Sequence, residues 1–97
     1  MHQFDVHQSS GPLLVILQSD MIGELNVVVA APLVPAEDWP VPARHLHPVC
    51  LLDDSPYVLV TNHLAAVTKD RIGRRVGSVD AHRSDIINAL DFLFTGI

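Results

Sequence analysis

The final stretch of the sequence, residues 85–97, has the residue spacing of an amphipathic helix. Its apolar residues recur at steps of three, four and seven, and they are Ile86, Ile87, Leu90, Leu93 and Phe94. Residues at these separations share one face of an α-helix, and such a face packs on a core. Gly96 stands where a helix ends, because glycine adopts left-handed backbone angles without steric cost. The pattern predicts a docked helix that holds Thr95, Gly96 and Ile97 in one place as a binding tip.

Apolar runs rich in valine, leucine and isoleucine fill the first two-thirds of the chain and predict β-strands. They span residues 3–7, 13–17, 26–31, 47–52 and 57–61. The turn formers of residues 53–56 predict a hairpin with a four-residue connection. Three prolines in residues 35–42 predict an irregular loop, and Asp80 is the expected N-cap of the final helix. Strands followed by one helix predict a compact antiparallel barrel that carries the helix on its surface.

The length of 97 residues predicts one domain, residues 1–97. Hydrophobic residues make up 48% of the chain, which is high for so small a domain. A short chain has too little interior to cover that much apolar surface. We therefore expect a homodimer.

The charge balance argues against direct nucleic-acid binding. The net charge is −5, and there are only six lysines and arginines. Four of those six fall within residues 69–75. A solvated turn is the simpler interpretation of this segment, and a docking patch is the alternative. Polyanion binding normally requires a larger basic surface.

The cysteine content, the N-terminal residues and the length of the apolar runs indicate where the protein resides. Cys50 is the single cysteine, so no disulfide forms within the chain, and its apolar neighbours predict a core position. No signal peptide is visible, and no apolar run approaches the roughly 18 residues of a membrane span. These features predict a cytoplasmic protein that does not enter a membrane.

Motifs for catalysis or metal binding are weak. His45 and His47 would share one face of a strand, which could begin a zinc site, but no third ligand stands nearby, so we predict a solvated pair and no metal. No nucleophile elbow or Gly-rich phosphate loop is present, and we predict neither an enzyme nor a cofactor. Trp39 either anchors the proline loop or is exposed for a partner, and the anchor is the preferred interpretation.

A series of short segments resembles the CcdB family of plasmid-type toxins in order and approximate spacing. The segments are QFDV (3–6), LQSDMI (17–22), PL (32–33), LHPV (46–49), IGRRV (72–76), HRSDI (82–86) and the C-terminal DIINALDFLFTGI. The resemblance implies an SH3-like antiparallel barrel with a small accessory sheet and one C-terminal helix. It also implies a two-fold dimer whose terminal helices lie near the dimer axis.

The resemblance further implies a toxin of a toxin–antitoxin pair. Such toxins bind the A subunit of DNA gyrase, trap the cleaved DNA complex, and are neutralised by a small antitoxin with a disordered tail. The implied gyrase-binding residues are Met21, Ile22, Asp91, Thr95, Gly96 and Ile97.

One position departs from the family pattern, since the family ends on Trp-Gly-Ile and this chain has Thr95 in place of the tryptophan. The family tryptophan stacks on an arginine of gyrase, a contact of about 0.5–2 kcal/mol that threonine cannot supply. Two alternatives follow: a gyrase poison, or a protein that keeps the fold and antitoxin binding with a lost or changed target. A third alternative is RNA cleavage, as in a related barrel family of toxins, against which the acidic balance counts.

Overall fold

Antiparallel pairing joins all the strands in the computed structural model, which describes residues 1–23 and 25–96. The strands of this part of the chain are β1 (Asp5–His7), β2 (Leu13–Ile16), β3 (Val27–Pro35), β4 (Val49–Leu52), β5 (Ser55–Leu59), β6 (Ala65–Thr68) and β7 (Arg75–Ser78). They form a curled half-barrel in the order β4-β5-β3-β2-β1-β7, with β6 beside β3. One helix, α1 (Arg83–Thr95), follows the last strand. The predicted mostly β fold with one C-terminal helix is confirmed.

Short 3-10 turns connect many of these strands. They are Asp20–Ile22, Ala36–Asp38, Thr61–His63, Lys69–Arg71 and Asp80–His82. None of the helices in the described part of the chain has the length and apolar content that a membrane crossing requires.

The long strand β3 organises the sheet, because three other strands pair with it. Along one edge it pairs with β2, while along the other its first half pairs with β6 and its second half with β5. Pro32 lies where the partner changes, and its carbonyl accepts a hydrogen bond of 3.0 Å from the Val60 N–H. Proline has no N–H to donate, so such a break in the ladder tolerates it. The β3–β6 pairing belongs to the same seven-stranded sheet, so a separate accessory sheet is not present among the described residues.

The β4–β5 hairpin is tighter than predicted. Its strands meet at Leu52 and Ser55, so only Asp53 and Asp54 form the turn. Both aspartates have positive φ, 51° and 64°, as a two-residue turn of the hairpin type requires. Aspartate tolerates this left-handed conformation better than most residues do. The predicted four-residue connection is therefore wrong.

The core lies between the curved sheet and the first half of α1. Ile86 and Ala89 of the helix are buried, and Ile87 and Leu90 are half-buried against the same cluster. Cys50 is fully buried there, as predicted. The predicted apolar stripe does not continue to Phe94, which is 69% exposed, because the last turn of α1 extends past the sheet.

The ends of α1 are set by the backbone. The helix begins at Arg83, directly after the turn Asp80–His82, and no side chain caps it. Asp80 is not the N-cap, since it opens that 3-10 turn, and the His82 N–H to Val79 carbonyl bond of 2.9 Å leads the chain into the helix. At the other end, Gly96 has φ 75° and donates its N–H to the Phe92 carbonyl. The predicted glycine end is confirmed.

Side chains close the gap between the two edge strands β4 and β7. The Leu51 N–H donates to the His82 Nε2 atom at 3.0 Å. A Cβ atom on Gly77 would lie 2.7 Å from Leu52 Cδ1, so β7 passes directly over that leucine. A larger residue at position 77 would displace the end of the Leu52 side chain, so β7 packs closely on β4 here.

Candidate functional site

The last turn of α1 forms a small exposed surface, which we call the tip and define as Asp91, Thr95 and Gly96. The Thr95 hydroxyl donates to the Asp91 carbonyl at 2.6 Å. All three residues are exposed, so the structure brings these three members of the predicted gyrase-binding set together. Ile97, the fourth member at this end, lies outside the described residues.

Met21 and Ile22 lie on a different element, the turn Asp20–Ile22, and are 94% and 55% exposed. The Ser19 hydroxyl accepts a bond from the Met21 N–H at 3.1 Å. The Asp20 carboxylate accepts a bond from the Gln3 N–H at 2.7 Å, and this bond lowers the pKa of Asp20. The turn therefore presents two large apolar side chains from a fixed backbone.

The turn is connected to the beginning of α1. Gln3, which holds Asp20, also accepts a hydrogen bond from Arg83 Nη1 at 3.3 Å. Arg83 opens the helix and Thr95 closes it, so they are about 18 Å apart along the helix axis at 1.5 Å per residue. No hydrogen bond or ion pair among the described residues joins Met21 or Ile22 to the tip.

A groove of about 600 Å³ lies beside the tip, between α1 and the chain segment that precedes β4. It is lined by Pro42, Ala43, Arg44, His45, His47 and Pro48 on one side and by Asp85, Asn88, Phe92 and Gly96 on the other. Its volume falls in the range of small-molecule and peptide-side-chain sites. The groove was missed from the sequence because its two walls are about forty positions apart.

Side-chain hydrogen bonds fix the wall that carries the histidines. His47 accepts the Ala43 N–H at Nδ1 (2.9 Å), and its Nε2 lies 2.7 Å from Asn62 Oδ1. The buried Thr61 hydroxyl donates to the Leu46 carbonyl. His45 and His47 therefore lie in a turn, and the predicted strand position of the pair is wrong.

Trp39 is half-buried and supports the same wall. Its ring lies edge-on to His47 at 5.4 Å and to His63 at 5.8 Å between centroids. The preferred interpretation, an anchor for the proline loop, is confirmed.

Two side chains in the groove have no hydrogen bond or ion pair within residues 1–23 and 25–96. His45 has positive φ, 67°, and its ring lies 6.0 Å from the Phe92 ring, with no hydrogen bond among the described residues. Arg44 is exposed and makes no ion pair within the same described set. Asp85 faces them from the helix. An imidazole can transfer a proton, and a guanidinium can bind a phosphate or carboxylate. This wall can therefore bind an anionic group and transfer a proton.

Metal ligation has little basis in the described structure. Residues 1–23 and 25–96 contain no group of three histidine, cysteine, aspartate or glutamate side chains placed to hold a metal ion. His45 and His47 face different neighbours, Phe92 and Asn62. The absence of a bound metal stays a prediction.

Comparison with known proteins gives a family and a fold. The family model described as CcdB protein matches residues 3–96. An endoribonuclease from a mycobacterial species, solved in complex with its cognate antitoxin, superimposes with a TM-score of 0.76 at 19% identity, over 94% of this chain and 91% of that chain. A second mycobacterial endoribonuclease gives a TM-score of 0.78 at 19% identity, over 94% and 88%.

These structures overturn the prediction that the chain is not an enzyme. That prediction rested on the absence of a known catalytic motif and on the acidic charge balance. Both solved structures share the fold and are endoribonucleases. The fold therefore supports RNA cleavage in other proteins, and a missing motif is no argument against catalysis here.

Proposed function

Because the chain belongs to the CcdB family, we propose that it is the toxin of a toxin–antitoxin pair and that its target is the A subunit of DNA gyrase. The family match over residues 3–96 includes every strand and α1, and it is the observation that carries the proposal. The solved structure of this fold with a cognate antitoxin supports an antitoxin as the second partner. In this proposal residues 1–97 form one toxin domain that acts in the bacterial cytoplasm.

The tip is the proposed gyrase-binding element, together with Ile97. Asp91, Thr95 and Gly96 are exposed at the end of a helix whose other end is anchored in the core by Ile86. An anchored helix holds its last turn in a fixed orientation, which lowers the entropy cost of binding. With Thr95 in place of an aromatic residue, the protein is a weak poison. A DNA cleavage assay with purified gyrase tests this target.

Met21 and Ile22 are proposed as a second contact with the same target. They are connected through Gln3 to the first turn of α1, while the tip lies at its last turn. In this proposal, two copies of the chain bring the two contacts onto one surface. The outward-facing Val49 and Leu51 of β4 support the proposed homodimer.

RNA cleavage is the second candidate, and the groove is the observation that favours it. When the ribose 2′-oxygen attacks the adjacent phosphate, a base accepts its proton, the bond from phosphorus to the 5′-oxygen breaks, and that oxygen takes up a proton while a cation binds the phosphate. His45 and Arg44 line the groove and have no hydrogen bond or ion pair within the described residues, so His45 could accept the first proton and return it to the leaving oxygen while Arg44 binds the phosphate. Incubation of the protein with single-stranded RNA tests the candidate. RNA cleavage that is lost in His45→Ala and kept in His2→Ala would favour this candidate. His2 is an exposed histidine that precedes β1, so its replacement is the control.

A further inference from the structure

The cations of this acidic chain are concentrated in one segment, residues 69–75, which we call the basic strap. It contains four of the six lysines and arginines, Lys69, Arg71, Arg74 and Arg75, in a chain of net charge −5. Asp70 is the only carboxylate within it. The remaining surface therefore carries a larger excess of negative charge than the net value indicates.

The basic strap is fixed to the end of β1. The Gly73 N–H donates to the Gln8 carbonyl at 2.7 Å, and the Gln8 N–H donates to the Arg74 carbonyl at 2.9 Å. The His7 Nδ1 atom lies 2.9 Å from the Gly73 carbonyl. A Cβ at position 73 would lie only 3.0 Å from the Gln8 oxygen, so this approach favours glycine. Residues 73–75 of the strap therefore continue the β1–β7 ladder, and Lys69–Arg71 is the 3-10 turn before them.

Internal pairing uses one of these cations and leaves two available. Arg75 Nε lies 3.1 Å from Asp5 Oδ1, and that carboxylate side chain is only 7% exposed. Arg71 and Arg74 are exposed and form no ion pair among the described residues. Their charges therefore face solvent from a backbone that is held in place.

A shallow groove of about 440 Å³ runs beside Arg71. It lies between Gln8, Ser9 and Ser10 on one side and Asp70, Arg71 and Gly73 on the other. The Ser9 hydroxyl donates to the Pro12 carbonyl at 2.6 Å and accepts the Gly11 N–H at 3.1 Å, so this side of the groove is also ordered. An extended chain that lies in the groove has Arg71 at its side, and Arg74 follows Gly73 along the strap.

We propose that the basic strap binds an acidic, extended peptide segment, and, resting on the proposed function, that the antitoxin supplies this segment. An acidic segment is repelled by most of this protein and attracted at Arg71 and Arg74, which fixes where and in which direction it docks. A single exposed ion pair is weak, so the two arginines must act together to hold the segment. RNA fits less well, because a long polyanion extends onto the acidic remainder.

The test uses a short fluorescein-labelled peptide of alternating glutamate and alanine, with fluorescence anisotropy as the readout at low salt. We expect the paired change Arg71→Glu, Arg74→Glu to weaken binding by about tenfold or more, since it reverses both charges. The matched control is Arg71→Lys, Arg74→Lys, which keeps both positive charges at the same positions, with an expected change below about twofold. Thermal melts confirm that each variant is folded. Raising the salt to physiological strength should weaken binding by the wild type.

Three outcomes would overturn the proposal. They are no binding of the acidic peptide by folded wild-type protein, an equal loss in the paired lysine variant, and tighter binding of single-stranded RNA than of peptide with the same dependence on Arg71 and Arg74. The measurement involves neither gyrase nor an antitoxin. A negative result therefore leaves the proposed gyrase target untouched, and a protein inactive on gyrase can still bind the peptide.

Discussion

The Thr95 hydroxyl donates a 2.6 Å hydrogen bond to the carbonyl oxygen of Asp91, one helical turn earlier. This bond directs the side-chain oxygen back onto the helix, where it replaces an intrahelical partner near the C-terminus. A residue in this arrangement offers a partner little more than a methyl group. The exposed tip is therefore an ordered surface without an aromatic anchor, and this explains why we expect weak gyrase poisoning.

Replacing Ile86 should destabilise the fold more than any other single truncation in α1. Ile86 is fully buried and packs against the sheet, whereas its neighbour Ile87 is only half-buried. We expect Ile86→Ala to lower the free energy of unfolding by about 2–5 kcal/mol. Ile87→Ala is the matched control and should lower the free energy of unfolding clearly less. Urea unfolding of both variants measures the difference, and equal losses would contradict the described packing.

Cys50 should resist thiol reagents in the native protein. Cys50 lies on β4 with its side chain in the core, and burial raises the pKa of its thiol from 9.0 to about 12, with the nearby Asp85 charge adding to the effect. The reactive species is the thiolate, so at pH 8 labelling should require unfolding. Labelling under native conditions at the rate seen in urea would contradict the buried position of Cys50.

The same shift predicts how stability depends on pH. The pKa of Cys50 is raised in the folded state, so the unfolded chain ionises first as the pH rises. Its contribution to stability is fully present below pH 9 and is lost between about pH 9 and 12, at up to about 1.4 kcal/mol per pH unit. A Cys50→Ala variant should lose less stability over this interval. Denaturant unfolding at a series of alkaline pH values compares the two proteins.

His82 should stabilise the closed edge of the half-barrel. Its Nε2 atom accepts the N–H of Leu51 on the edge strand β4. His82→Ala leaves that N–H without its partner, and we expect a loss of about 1 kcal/mol in the free energy of unfolding. His2→Ala removes an exposed histidine whose contact with Asp20 is long, 3.4 Å, and should have a smaller effect. No difference between the two variants in thermal melts would contradict the role of His82.

Much of the fold could be predicted from the sequence, because five strands and the helix carry clear apolar patterns. Strands β6 and β7 were missed, since Ala65–Thr68 is short and alanine-rich and Arg75–Ser78 begins with a charge and contains Gly77. Both are defined by their pairing with β3 and β1 and not by their own composition. The groove could not be predicted, because the hydrogen bonds of His47 and Thr61 position one wall and the other wall is α1, about forty positions further along the chain.

The homodimer can be tested at the outer face of β4. Burial alternates along this strand, with Cys50 and Leu52 inward and Val49 and Leu51 outward, and Leu51 is 52% exposed. We expect wild-type protein to sediment as a dimer of the 10.6 kDa chain and Leu51→Asp to sediment as a monomer. The control is Val27→Asp, which changes an exposed valine on β3 and should leave the dimer intact. A wild-type protein that is monomeric at micromolar concentration would contradict the proposal.

The most direct test of the proposed function is the amount of cleaved DNA that purified gyrase accumulates with wild-type protein and with Thr95→Trp. We predict weak accumulation with the wild type and about 2- to 30-fold higher potency with Thr95→Trp, as one added cation–π contact of about 0.5–2 kcal/mol implies. Thermal melts serve as the folding control for this exposed position. Absence of cleaved DNA with both folded proteins at saturating concentration would contradict gyrase as the target, and cleavage of RNA by the same preparations would assign the toxicity to the groove of His45 and Arg44.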